Sequence, residues 1–246
     1  MKQLCYLFIG LLLTACGDFL DEHPKDQIPE DAASKTAQAL YLNNVATLYN
    51  YFGGYAQSQG LQGTYRGVYD LNTFTSDEAI IPTRGGDWYD GGFWQGLFLH
   101  SWSPGDDALL NTWNYLYKVI VLSNRSLEKL SANKALLSAS QLASYQAEVR
   151  AIRAMYYGYL VDLFGRVPLV LSSTTPMREV KQSSRSEVFH FVISELQAAA
   201  PLLPAERSNE LGLYYGRITR PVVFFILAKM ALNAEVFSDD DWTDGN

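Results

Sequence analysis

From Ser140 to Phe164, apolar side chains recur at three- and four-residue spacing: Leu142, Val149, Ile152, Met155, Tyr156, Tyr159, Leu160 and Leu163. That spacing gathers them on one side of an α-helix about seven turns long, a row that no strand can present to one face. Gly165 then stands where a helix takes its C′ glycine, and Val167-Pro168 blocks continuation. Ala154 and Gly158 lie on the same helix and are small enough to let another helix approach closely.

Further helices follow the same logic. A first one begins near Ala32, carries Leu40, Val45, Leu48 and Phe52, and ends near Gly53-Gly54. Asp106 or Asp107 can cap a second, whose stripe is Leu109, Trp113, Leu116, Ile120, Leu127 and Leu130. Ser184-Arg185-Ser186-Glu187 is a capping box, in which Ser184 caps and Glu187 reaches back; Val188, Phe189, Val192 and Leu196 form the stripe behind it, up to Pro201–Pro204. Thr219 can cap a last helix through Phe225, Ala228, Met230, Ala231 and Ala234 to about Phe237. Strand signals are scarce, and only Val167 to Leu171 could pair briefly. The expectation is a mostly α fold of successive antiparallel helix pairs, the way helical-repeat solenoids stack.

Residues 53–105 break this pattern. Glycines recur with aromatics interleaved and no helical period survives, which predicts a long structured loop. Its richest stretch is Thr83-Arg84-Gly85-Gly86-Asp87-Trp88-Tyr89-Asp90-Gly91-Gly92-Phe93-Trp94. Sugars stack C–H patches on Trp and Tyr faces and give their hydroxyls to carboxylates, amides and Arg. On that chemistry Arg84, Asp87, Trp88 and Trp94 are candidate ligand residues, with Asp77 and Glu78 behind them. The alternative is that Trp88, Tyr89 and Trp94 fill a core under the loop while Asp87 and Asp90 cap turns. Arg150 and Arg153, on the long helix, are expected to pair with carboxylates between helices.

The N-terminus sets the address. Met1-Lys2-Gln3 precedes an apolar run from Leu4 to Leu13, then Thr14-Ala15-Cys16. One cation and about ten apolar residues make a signal peptide too short to span a bilayer. Leu13-Thr14-Ala15-Cys16 matches a lipobox, so residues 1–15 are read as a lipoprotein signal peptide and Cys16 as the lipidation site. Each buried acyl CH₂ contributes ~0.8 kcal/mol, so two or more chains anchor a protein firmly. Residues 16–31, acidic and containing Pro24 and Pro29, read as a tether, and 32–246 as the helical domain. Of the two cysteines, Cys5 leaves with the signal peptide and Cys16 carries lipid, so no disulfide is expected and a packed core must supply stability.

Several functions are disfavoured. With 26 acidic side chains against 19 basic ones and no basic cluster, nucleic acid is not an expected partner. There is no His-Glu-x-x-His, Gly-x-Ser-x-Gly or phosphate loop, and His23, His100 and His190 have no ligand spacing. Asp239-Asp240-Asp241 with Asp244 reads as a solvated acidic end, because Trp242 breaks the alternation of a calcium loop. Neither cofactor nor metal is expected.

A family resemblance rests on blocks in order. They are Cys16 with Phe19-Leu20-Asp21 and Pro24; Ser76-Asp77-Glu78; Asp87-Trp88-Tyr89 with Trp94; and Trp113, Tyr117 and Asn124. The most specific runs from Glu148-Val-Arg150-Ala-Ile-Arg153-Ala-Met-Tyr156-Tyr157 into Leu160-Val-Asp162-Leu-Phe164-Gly165 and Pro168. Arg185-Ser-Glu187-Val-Phe189, Gly216-Arg217-Ile-Thr219 and Ala228-Lys229-Met-Ala-Leu232 complete the series. The chain thus resembles the N-terminal half of the SusD/RagB family of outer-membrane nutrient-binding lipoproteins. The resemblance implies tetratricopeptide-like helix pairs in a right-handed superhelix. It also implies a surface-exposed, lipid-anchored protein that binds glycans or other nutrients without catalysis and delivers them to a SusC-type TonB-dependent transporter. The C-terminal half of the usual family fold, which contributes part of the ligand site, is expected to be missing. A glycoside hydrolase and a helical scaffold that binds only protein are the alternative readings.

Overall fold

A capping box starts the long helix. The Ser138 hydroxyl accepts from the Gln141 amide at 3.2 Å, and the Gln141 side chain accepts from the Ser138 amide at 2.9 Å. The computed structural model describes residues 35–54, 59–61 and 66–239. The signal peptide, Cys16, the tether and most of the acidic C-terminal cluster lie outside the described residues.

The described residues open with α1 (Ala37–Tyr41), a π-helical turn (Leu42–Ala46) and α2 (Thr47–Tyr49) in direct succession. Leu40 and Val45 are five residues apart, and the wider π turn brings both into the core with Leu48. Two short helices follow, α3 (Val68–Phe74) and α4 (Phe93–Phe98). The scaffold is α5 (Asp107–Ala132), α6 (Ala139–Phe164), α7 (Arg185–Ala199), α8 (Arg220–Leu232) and α9 (Ala234–Ser238). Among the described residues there are no strands. Their β-type pairings are two isolated bridges, Arg84 with Asp87 and Pro168 with Gln182.

Residues 53–105 therefore differ from the loop expected. α3 and α4 sit inside that segment, each too short to develop a readable period, and bury Val68, Leu71, Trp94 and Leu97. The last helix differs too: it breaks at Asn233, and Thr219 occupies its N-cap position without a side-chain cap bond.

α5, α6 and α7 run antiparallel in turn. Tyr117 meets Tyr157 near one end of the first pair, and Ser131 meets Gln146 near the other. α6 is the centre, packed by α5 on one flank and α7 on another, with α8 close at Gly158. A Cβ at Gly158 would come 3.4 Å from the Met230 sulfur, so the small residue does admit a second helix.

The buried face of α5 is rotated from the stripe read in the sequence. Thr112, Tyr115, Val119, Ser123 and Asn124 are buried, while Leu109, Trp113 and Leu127 are only partly so. Polar partners explain the rotation. Ser123 donates to the Val119 carbonyl at 2.8 Å, and Asn124 donates to the Val170 carbonyl at 2.9 Å and accepts from Arg153 at 2.7 Å. A hydropathy stripe cannot register such residues as interior.

The same Arg153 donates to Glu195 on α7 at 2.7 Å, and Arg150 grips that carboxylate at 2.7 and 3.2 Å. The expected pairing of both arginines between helices is therefore present. Burial opposes the Glu195 charge, but the bonds from Arg150 and Arg153 outweigh it and hold the carboxyl below its ordinary value. A second acid, Glu148 on α6, is fully buried. It accepts from Tyr41, Tyr49 and both Nε and NH2 of Arg217, the last at 3.1 and 2.7 Å.

Removing one partner of a buried ion pair strands the other, at a cost of about 3–5 kcal/mol. Glu195→Ala is accordingly expected to lower unfolding free energy by about that amount in urea titration. Because the folded carboxyl is depressed, its stabilising contribution is complete above the ordinary Glu value near ~4.3 and fades as pH falls through the lower folded value. The gap between wild type and Glu195→Gln is therefore expected to narrow on acidification below about pH 4.

Candidate functional site

The segment from Arg66 to Asp106 packs into a small second core of Leu71, Trp94 and Leu97, with Phe74, Ile81, Phe93, Leu109 and Leu163 around it. Asp90 pins this cluster. It accepts from the Trp94 indole N–H at 2.7 Å and pairs with Arg66 at 3.1 Å, while the Arg66 guanidinium lies 4.7 Å from the Phe93 ring centre.

Backbone strain is concentrated here. Among the described residues, the non-glycine residues with positive φ are Arg66, Asp77, Trp88, Asp90 and His100, all in this one segment. Left-handed conformations cost side-chain-bearing residues of the order of 1–3 kcal/mol and persist where packing over-determines them, as at ligand sites. Gly91 and Gly92 continue the run with φ of 66° and 86°, so Trp88 to Gly92 folds back tightly before α4.

The candidate residues separate into different environments. Arg84 and Asp87 exchange backbone hydrogen bonds at 3.2 and 3.0 Å across Gly85-Gly86, leaving both side chains exposed. Asp77 and Glu78 are exposed beyond the end of α3. Trp88 is 56% exposed and meets Trp94 edge-on at 6.3 Å. Trp94 is 3% exposed, boxed in by Phe74, Phe93 and Asp90. It does not present its ring face to solvent, so of the two readings open for it the geometry selects packing.

One aromatic was not singled out from the sequence. Trp102, 44% exposed, stands between two clefts. The first, of about 390 Å³, is lined by Asn72, Thr75, Ser76, Asp162 and Phe164 among others. The second, of about 350 Å³, includes Asp90, Phe93, Ser101 and Asp106. Both volumes fall in the ~300–1,000 Å³ range of small-ligand sites. Trp102 packs on the His100 ring at 5.3 Å, and His100 Nε2 lies 2.9 Å from the Thr75 carbonyl. Asp106 fixes the far side by accepting from the Ser103 amide and hydroxyl at 2.9 and 3.2 Å. The side chains of Asp77, Glu78, Arg84, Asp87, Trp88 and Trp94 line neither cleft. The available signal was local: Trp102 sits in Ser101-Trp102-Ser103-Pro104-Gly105, a polar turn where an aromatic has no helical stripe to join.

Asp162, exposed at the end of α6, is among the residues lining the larger cleft. Partial desolvation by the surrounding protein raises its carboxyl above the ordinary value, against the pull of Lys229. Among the described residues no group of three or more His, Cys, Asp or Glu side chains is arranged to hold a metal ion.

The two tryptophans should respond oppositely to truncation. Trp94→Ala is expected to cost about 3–5 kcal/mol of stability, whereas exposed Trp88→Ala should stay within about 0.5 kcal/mol in the same denaturant titration.

Residues 18–232 match the SusD-like family described as starch-binding and associating with the outer membrane. The chain is 24% identical to starch-binding protein SusD of Bacteroides thetaiotaomicron over 234 residues, which are 92% of this chain and 39% of that one. Among solved structures, a laminarin-binding SusD-like protein superposes with a TM-score of 0.65 at 25% identity, over 81% of this chain and 41% of that one. A SusD superfamily protein from Bacteroides vulgatus gives a TM-score of 0.68 at 22% identity, over 82% and 41%. The chain thus spans about two-fifths of the length of these relatives. With a family match across most of its length and the same helical fold, the chain belongs to the SusD-like family.

Proposed function

We propose that this chain captures glycans at the outer-membrane surface and hands them to a SusC-type TonB-dependent transporter, held there by lipid on Cys16. The observation that carries the reading is Trp102, half-exposed between two clefts lined by an amide, hydroxyls and carboxylates. An indole face stacks on the C–H patches of a sugar ring. Asn72, Ser76 and Asp162 on one side, and Ser101 and Asp90 on the other, supply the hydrogen-bonding groups that ring hydroxyls require. Trp88, Tyr89 and Arg84 are exposed on the same loop segment, outside the lining of both clefts. The reading is one of binding without turnover.

The relatives' names point to two probes, starch and laminarin oligosaccharides. Calorimetric titration of both is expected to show binding to at least one, weakened tenfold or more by Trp102→Ala and little changed by Trp88→Ala. Tenfold corresponds to about 1.4 kcal/mol. Unchanged affinity in the folded Trp102→Ala protein would place the ligand elsewhere, and turnover of the bound glycan would revive the hydrolase alternative. For the anchor, Cys16→Ser is expected to move the protein from the membrane pellet to the soluble fraction, and to abolish co-purification of a transporter.

A further inference from the structure

The two clefts beside Trp102 carry charge of one sign. Asp162 lines the larger, and Asp90 and Asp106 line the smaller. Among the described residues, no lysine or arginine lines either cleft. The surrounding segment has the same sign. Residues 66–106 hold six carboxylates against two arginines, a net charge of −4 in a chain whose total is −7.

Nearby positive charge is already matched to acids. Arg66 lies 3.1 Å from Asp90 and rests against the Phe93 ring at 4.7 Å. Lys229 lies over the Tyr159 ring at 5.4 Å and attracts the Asp162 carboxylate. The positive N-terminal end of α5 has Asp106 at its N-cap and Asp107 in its first turn. Arg84, the other arginine of the segment, is exposed and lines neither cleft. An anionic sugar entering here would give up hydration with no cation to replace it, and would face fixed carboxylates. A neutral sugar meets the same carboxylates as acceptors for its hydroxyls.

We infer that these clefts select uncharged glycans, with Asp106 and Asp162 as the specificity-determining residues that turn away anionic ones. One set of charges then serves both capture and exclusion. The inference rests on the proposed glycan site at Trp102 and adds the class of glycan that the site takes.

Calorimetric titration of a matched set tests it at neutral pH. The parent is a laminarin or starch oligosaccharide; its partner is the same chain with primary hydroxyls oxidised to carboxylates. The carboxylated chain is expected to bind about tenfold or more weakly, and its uncharged methyl ester to recover most of the loss. Raising salt from about 20 to about 500 mM should narrow the gap, because screening weakens repulsion and leaves shape unaltered. Asp106→Asn and Asp162→Asn should each cut the parent-to-carboxylate affinity ratio several-fold. Suppose parent binding is lost on Trp102→Ala, so that the site stands. A carboxylated chain as tight as the parent, a methyl ester as weak as the carboxylate, a gap indifferent to salt, or a ratio unmoved in both Asn variants would then overturn the inference alone. Parent binding that ignores Trp102→Ala, or no binding of either chain, would overturn the site and the inference with it.

Discussion

The carboxylate of Glu195 is the joint on which the scaffold turns. Taking a carboxylate and a guanidinium out of water costs several kcal/mol for each ion. Here the opposing gain comes from Arg150 and Arg153 together, with Arg153 held in turn by Asn124, and Asn124 by the Val170 carbonyl. One chain of bonds thereby fixes α5, α6, α7 and the segment after α6 in a single register. Tyr157 reinforces it by donating to the Val170 carbonyl at 2.9 Å and accepting from the Val170 amide at 2.7 Å. Apolar packing alone would tolerate small rotations of each helix. A buried ion pair with directed bonds does not.

Glu148 extends the same constraint to both neighbours of the scaffold. Through Tyr41 and Tyr49 it holds the first helices, and through Arg217 it holds the approach to α8. With α6 fixed at Glu148 and Arg153, its C-terminal turn emerges in a set position under the loop cluster. Leu163 packs on the second core, and Asp162 and Phe164 line the larger cleft beside Trp102. The rigid helices thus position a strained, aromatic-rich segment whose own short helices could not stand alone. Among the described residues, left-handed strain at non-glycine positions falls within Arg66–His100 and not in the scaffold helices, which fits that division of labour.

What was legible in the sequence was what is local. Both capping boxes, at Ser138 and Ser184, involve residues three apart; the Ser184 box has the Ser-x-x-Glu form, while the Ser138 box uses Gln141. The α7 stripe, the Gly165 stop and the close approach at Gly158 are likewise matters of a few neighbouring residues. The inward face of α5 departs from its hydropathy stripe because Ser123 and Asn124 are buried by partners up to 46 residues away, which hydropathy does not encode. Within the loop, aromatic and glycine content marked the right segment but not the right ring. Trp88, Trp94 and Trp102 look equivalent in composition. They are separated by Asp90, which draws Trp94 into the core, and by His100, which holds Trp102 at the surface.

The central claim is that ligand reaches Trp102 on a scaffold that keeps Trp94 buried and Trp113 packed against Tyr117 and Phe164. The indole N–H resonances of the five tryptophans, followed by NMR during glycan titration, report on each ring separately. The account predicts that the Trp102 signal shifts progressively to saturation while those of Trp94 and Trp113 stay in place. Movement of Trp94 or Trp113 with Trp102 unmoved would contradict it.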